Sequence, residues 1–402
     1  MNPQTQPVPP RAPSPDFDGE EPPPHPTIRS LRELIDLVSG KSFKESEPAP
    51  PSGLAEILPF PFMGLVGQTE MKVALLLALI NPAINGVLLL GPRGTGKTTA
   101  VRSLLDLLPE IERSACFYGC LPQDVETGGI DAVCPDCARK YAEGFPLTKP
   151  DRVRLVELPL NTRIDDVVGG LDDRALVHER LRLKRGILAQ ADQNILYVDE
   201  INLLGDDIVD ATLDAAAQGK YTVHRGPATA TYNARFTLIG SMNPEEGNLR
   251  PQIMDRFGLR VIVRGLQEAQ DRLEAYKRVR AYLENPRMII DHFKDETELA
   301  RQDIQEARRL LPCVELPADL AHTCIKVIQH LKIDSLRAEI NLFEAARAYA
   351  AADGRNKVEL KDAQAVAPMC LRLRRSSFIN RYFQEQSEED LEIGDALNPP
   401  PG

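Results

Sequence analysis

The chain has 402 residues, 43% of them hydrophobic and 27% charged, with a formal net charge of −11. That length and apolar content suit two or three packed domains, and the acidic balance argues against nucleic acid or an anionic membrane as partner of the whole surface. No apolar run reaches the roughly 18 residues a bilayer span needs, and the N-terminus lacks a signal-peptide core. The expected location is therefore the cytoplasm, with the seven cysteines as thiols or metal ligands rather than disulfides.

Thirteen of the 33 prolines fall within residues 1–51. Such a segment cannot pair its backbone in a sheet or a long helix, so 1–55 reads as a mostly disordered tail. One island, near 28–39, places Leu31, Leu34, Ile35 and Val38 at helical spacing, either as a docking helix or as a transient one. From about Phe60 the pattern becomes α/β. GVLLL (86–90), VRLVELP (153–159), NILYVDE (194–200) and ARFTLIGSMN (234–243) are short Val/Ile/Leu-rich runs separated by helical segments, the pattern of a buried parallel sheet. Two β-type runs around Gly226 and Pro227 predict a hairpin over 220–236. After Leu266 strand signals give way to helical periodicity over 267–284, 297–311, 317–331, 335–353 and 360–374. The expected division is an α/β domain over 56–266, an all-helical domain over 267–380, and an acidic, solvated tail over 381–402.

GPRGTGKT (91–98) follows the strand GVLLL directly and matches the phosphate-loop pattern. Gly91, Gly94 and Gly96 let the backbone turn its N–H groups inward, and the helix from Lys97 adds its N-terminal partial charge. The nucleotide-contacting run is Gly91, Pro92, Arg93, Gly94, Thr95, Gly96, Lys97, Thr98 and Thr99. Lys97 neutralises the β and γ phosphates of ATP, and Thr98 offers its hydroxyl to Mg²⁺. NILYVDE ends an apolar strand in Asp199, placed to hold Mg²⁺, and Glu200, placed to activate water. Hydrolysis is expected rather than transfer to a bound acceptor.

FTLIGSMN is expected to lie beside the Asp199 strand and to deliver Asn243 to the γ-phosphate. RPQIMDRFG then carries Arg256 out of the domain, where a guanidinium can complete a neighbouring subunit's site as an arginine finger. The competing reading is a structural ion pair between Asp255 and Arg256. Arg250 is expected at the hairpin or at an interface.

GPRGTGKTTAVRSL, VVGGLD (167–172), GILAQADQNILYVDEINLL, GSMNPEEGNLRPQIMDRFGL and SLRAEINLFEAARAYAA together resemble the I-subunit family of magnesium chelatases. These are AAA+ ATPases, with a P-loop parallel-sheet core and a C-terminal helical lid. The resemblance covers about 60–375 and includes a presensor hairpin before the last motif strand. It implies that Arg256 takes the arginine-finger position. Arg337 takes the second sensor position, contacting the γ-phosphate from the lid. Val66, Gly67 and Gln68 take the adenine side. It further implies a ring, usually hexameric, working with an integrin-domain D-type subunit. That assembly drives a large porphyrin-binding H-type subunit to insert Mg²⁺ into protoporphyrin IX, the first committed step towards chlorophyll or bacteriochlorophyll and a ligase reaction forming nitrogen–metal bonds.

Two rival roles remain at this level: a MoxR-type AAA+ chaperone that remodels or metallates a partner beside an integrin-domain protein, and a nucleic-acid motor. The hairpin tip offers only His224 and Arg225 as basic residues, so nucleic acid is not expected as a partner.

Residues 116–137 depart from the family's general pattern. Cys116, Cys120, Cys134 and Cys137 form C-x3-C…C-x2-C within an insertion over 114–150. Three readings stand: a structural Zn²⁺ site, a redox pair, or unrelated thiols.

Overall fold

The computed structural model describes residues 58–374, except 109, 171–182, 227 and 248. The expected tails, the helix near 28–39 and the last two residues of VVGGLD lie outside the described residues. The central sheet has five parallel strands. Its members are β1 (Val87–Leu90), β4 (Leu155–Glu157), β5 (Ile195–Val198), β8 (Thr237–Met242) and β9 (Leu259–Ile262), in the order β4-β5-β8-β1-β9. Two antiparallel pairs stand apart from it: β2 (Glu110–Ser114) with β3 (Thr148–Arg152), and β6 (Lys220–Arg225) with β7 (Ala228–Asn233).

Burial on both faces explains the unbroken apolar runs, because each strand sends alternate side chains to opposite sides. Val87, Leu89, Ile195, Tyr197 and Ile239 join one core with the helix Thr69–Ile80 and the C-terminal helices. Leu88, Leu90, Leu196, Val198 and Leu238 join a second core with the helix Asp206–Gln218.

The helical region comprises Ala269–Glu284, Pro286–His292, Lys294–Leu310, Ala318–His330, Arg337–Ala352 and Leu360–Leu371. Arg337–Ala352 packs on Thr69–Ile80, Lys294–Leu310 and Leu360–Leu371, so its small buried residues, Ala338, Ala345 and Ala346 among them, continue the first core. A cluster of charge closes this junction. Arg374 is fully buried and meets Asp255 at 2.5 Å. Arg260, also fully buried, donates to the carbonyls of Met254 and Arg372, both at 2.8 Å. Burial alone would raise the Asp255 pKa, but Arg374, Ser335 and Arg337 outweigh it, and the carboxyl sits below its ordinary value. Among the described residues no helix is long and apolar enough to cross a membrane.

Candidate functional site

The register of the sheet assembles the phosphate site. β1 and β8 pair Leu90 with Met242, so the residues that follow, Gly91 and Asn243, leave the sheet side by side; Gly91 N donates to Met242 O at 3.1 Å. β5 and β8 pair Val198 with Gly240, so Asp199 emerges beside Ser241. Three carboxyl ends therefore converge where open α/β sheets bind ligands. The cleft between them measures about 190 Å³ and is lined by Arg93 to Thr99, Asp199, Glu200, Ser241, Met242 and Asn243.

Within it, Thr98 Oγ1 donates to Asp199 Oδ2 at 3.2 Å. These are hard oxygen donors, close enough to share one cation and suited to Mg²⁺. Lys97 is buried, and its ammonium donates to the carbonyls of Gly91 (2.7 Å) and Pro92 (2.8 Å). Burial lowers its pKa, while Asp199, Glu200 and Glu246 pull the other way. Arg93 bridges Glu246 at 2.5 Å and Glu200 at 3.4 Å. Gly94 and Gly96 have φ of +76° and +86°, a left-handed turn that favours glycine. Gly91 is required for another reason: a Cβ there would lie 2.1 Å from Val263 O.

Glu200 itself has φ +52° and ψ +50°, a strained conformation for a residue with a Cβ, of the kind found at functional positions. Its N–H donates to Ser241 Oγ at 3.1 Å, and that hydroxyl donates to Asp199 Oδ1. Tyr197 Oη, 3.2 Å from Thr98 Oγ1, donates to Asp199 Oδ1 at 2.8 Å. Burial pushes the Tyr197 phenol up, so it stays protonated and remains a donor. Sequence reasoning missed Tyr197 and Ser241. The signal was present for the first: strand periodicity puts 197 on the same face as 199.

A second cavity, about 480 Å³, adjoins the phosphate loop at Gly94–Gly96 and Thr99 and is walled by Leu65, Val66, Met71, Leu266 and Val279. Its apolar walls suit a purine ring. Val66 lines it. Gly67, at φ +61°, shapes it from behind, since a Cβ there would come 2.8 Å from Leu266 Cδ2. Gln68 Nε2 ties the segment to Arg264 O at 2.6 Å.

Arg250, Arg256 and Arg337 line neither cavity. Arg256 ends the helix Pro251–Arg256 and pairs with Asp214 at 2.5 Å, not with Asp255. Arg250 pairs with Asp206 (3.0 Å) and Asp210 (3.2 Å) rather than with the hairpin. The expected second-sensor residue, Arg337, is not among the residues lining the phosphate cleft of its own chain. Its helix packs on Thr69–Ile80, Lys294–Leu310 and Leu360–Leu371, and Arg337 Nη1 lies 3.1 Å from Asp255 Oδ2, next to Arg256 in the chain.

The four cysteines converge, with all four sulfurs within 4.8 Å of one another.

The comparisons fit this geometry. Residues 170–255 match the family profile described as magnesium chelatase, subunit ChlI, and 319–395 match that of an AAA lid domain. The magnesium-chelatase subunit ChlI homolog of Methanocaldococcus jannaschii is 43% identical over 336 residues, which is 83% of this chain and 90% of that one. The chain belongs to the magnesium chelatase ChlI family. Its AAA+ fold, a P-loop parallel sheet with a helical lid, is that expected from the sequence. The magnesium-chelatase 38 kDa subunit of Acidiphilium rubrum is 42% identical over 317 residues, covering 78% of this chain and 90% of that one. A solved putative ATPase from Cytophaga hutchinsonii, 19% identical, shares the fold at a TM-score of 0.50, covering 78% of this chain and 84% of that one.

Proposed function

We propose that this chain is the ATP-hydrolysing motor subunit of a magnesium chelatase. The observation that carries this reading is the convergence of Lys97, Thr98, Asp199, Glu200 and Asn243 at adjacent strand ends, in a chain of the chelatase family. The names of the relatives favour chelation over the remodelling of an unrelated partner.

ATP supplies the phosphoryl group, and Mg²⁺ would be held by Thr98 and Asp199. Lys97 and the backbone N–H groups from Gly91 to Thr99 hold the phosphates. Val66 and Gly67 shape the adenine side. Glu200 orients the attacking water and takes its proton, and Asn243, whose Oδ1 accepts from Glu245 N at 3.3 Å, holds that water with its amide. Arg256 stabilises charge developing on a neighbour's nucleotide. Arg337, sharing Asp255 with Arg374 beside Arg256, contacts the γ-phosphate from the same side, across the seam rather than within its own subunit.

The ATPase core then spans 56–266 and the lid 267–380. The ring is homo-oligomeric and hexameric. It works with an integrin-domain D-type subunit and a porphyrin-binding H-type subunit in inserting Mg²⁺ into protoporphyrin IX for chlorophyll or bacteriochlorophyll synthesis. The cysteine cluster suits a structural metal ion, Zn²⁺ by its all-sulfur donors, because none of its residues lines either nucleotide cavity.

Reconstitution tests the proposal. The purified chain, combined with D- and H-type subunits, MgATP and protoporphyrin IX, is expected to yield magnesium protoporphyrin, and to yield none when Lys97→Ala replaces it. ATP hydrolysis without any metal insertion in such a mixture would assign the motor to another task.

A further inference from the structure

The insertion between β2 and β3 has almost no apolar interior. Its buried cluster is Cys120, Cys137 and Leu147, with Cys116, Val133 and Cys134 packed against them. One leucine and one valine at the cysteines, with Val125 buried elsewhere in the insertion, cannot hold a segment of this length by hydrophobic burial; small units of this kind depend on a cross-link or a metal. The sulfurs have the spacing for a metal. Cys116 Sγ lies 3.6 Å from both Cys120 Sγ and Cys134 Sγ. A disulfide needs about 2.0 Å, whereas a tetrahedral zinc site with bonds of about 2.3 Å has sulfur–sulfur edges of about 3.8 Å. Backbone N–H groups are aimed at two of the sulfurs: Tyr118 N at Cys116 Sγ (3.3 Å) and Cys134 N at Cys120 Sγ (3.4 Å). Such donors stabilise thiolates, the form that binds metal.

The loop tied between the first two cysteines leads elsewhere. Phe117, Tyr118 and Gly119 form the surface on which the base of the β6–β7 hairpin rests. Tyr232, buried near the end of β7, stacks on Tyr118 with ring centroids 5.7 Å apart and meets the Phe117 edge at 5.9 Å. Asn233 N donates to Tyr118 O at 3.1 Å, and Asn233 Nδ2 to Gly119 O at 2.9 Å. Arg235 donates to Gly119 O at 2.5 Å and pairs with Asp124 at 2.8 Å. Gly119 is held at φ +81°, and a Cβ there would lie 2.7 Å from Asp192 Oδ2, so the loop fits against its neighbours only as glycine. From Arg235 the chain runs directly into β8, whose carboxyl end places Ser241 and, just beyond the strand, Asn243 in the phosphate cleft.

We propose that one Zn²⁺ held by Cys116, Cys120, Cys134 and Cys137 fixes the loop 117–119 as the seat of the β6–β7 hairpin, so that metal occupancy sets how firmly the hairpin root is held. This rests on the reading of the cluster as a metal site. The zinc is structural: four thiolates close the coordination shell and leave no position for a substrate.

The test separates the two claims. The full chain, purified without added metal, is expected to carry one zinc ion by mass spectrometry of metals, and its Co²⁺-exchanged form to show the visible and charge-transfer bands of a tetrahedral tetrathiolate. Less than a fifth of a zinc per chain, with no uptake of added Zn²⁺, or recovery of the cysteines as disulfides, overturns the metal site. Removing zinc with a zinc-selective chelator is expected to speed amide hydrogen exchange over 220–233 by about tenfold while leaving β1 unchanged, with reversal by Zn²⁺. Arg235→Ala leaves the ligands in place, and is expected to loosen the same amides while retaining zinc. Stoichiometric zinc with hairpin exchange indifferent to both treatments overturns the seat and leaves the metal site standing.

Discussion

At the scale of single residues, the proposed hydrolysis depends on how Asp199 and Glu200 are held. Glu200→Gln keeps the side chain's shape but removes the proposed base. ATP affinity is expected to stay within a few-fold while turnover falls by about 100-fold or more; equilibrium binding and a steady-state phosphate assay check both. Tyr197→Phe deletes the phenolic donor to Asp199 without changing the packing of the ring. By analogy with groups that orient metal ligands, the Mg²⁺ concentration giving half-maximal ATPase is expected to rise about tenfold, and an unchanged Mg²⁺ dependence would remove Tyr197 from the site. Asp106 gives a pH signature unrelated to catalysis. Burial raises its pKa from 3.8 to about 6, with Arg301 opposing. The folded pKa lies above the unfolded value, so the stability this one shift contributes is fully present below about pH 4 and is lost as pH rises through about 6. Asp106→Asn is therefore expected to melt higher than the parent at pH 8, with the two converging towards pH 4 in parallel thermal scans.

At the scale of elements, the sequence reveals what is periodic or chemically punctuated and conceals what depends on packing. β1, β5 and β8 are legible because both faces are buried and the runs are short and rich in Val, Ile and Leu. β9 is not, because LRVI is short and carries Arg260, whose full burial is possible only through the carbonyls of Met254 and Arg372 and the nearby Asp255. β2 and β3 read EIERS and TKPDR, charged strands with a proline and no alternation; their pairing follows from closing the insertion rather than from hydrophobic burial. The phosphate loop, Asp199, Glu200 and Asn243 are legible from local pattern. The placement of Arg337 is not, since helical periodicity fixes its element but not the direction in which the lid packs. Asp255 holds that direction. Asp255→Asn leaves Arg260 and Arg374 buried without their counter-charge and is expected to cost about 3–5 kcal/mol in chemical denaturation; a loss below about 1 kcal/mol would mean the junction is held by its alanine packing alone.

At the scale of the whole molecule, one subunit holds a nucleotide cleft with its lysine, carboxylates and amide, and carries Arg256 and Arg337 outside it. That distribution makes sense if hydrolysis occurs at a seam between copies, with closure of each site dependent on the next subunit. A ring built this way would pass nucleotide state from subunit to subunit and movement to partner proteins. The most direct measurement mixes two defective proteins. Lys97→Ala subunits lack a working phosphate loop but offer an intact Arg256; Arg256→Ala subunits offer the reverse. Each alone is expected to assemble and hydrolyse almost no ATP. Mixed in equal amounts and allowed to exchange subunits, they are expected to recover activity, because some seams join an intact phosphate loop to an intact arginine. Mixed rings, verified by mass, that remain as inactive as either parent would contradict the shared site.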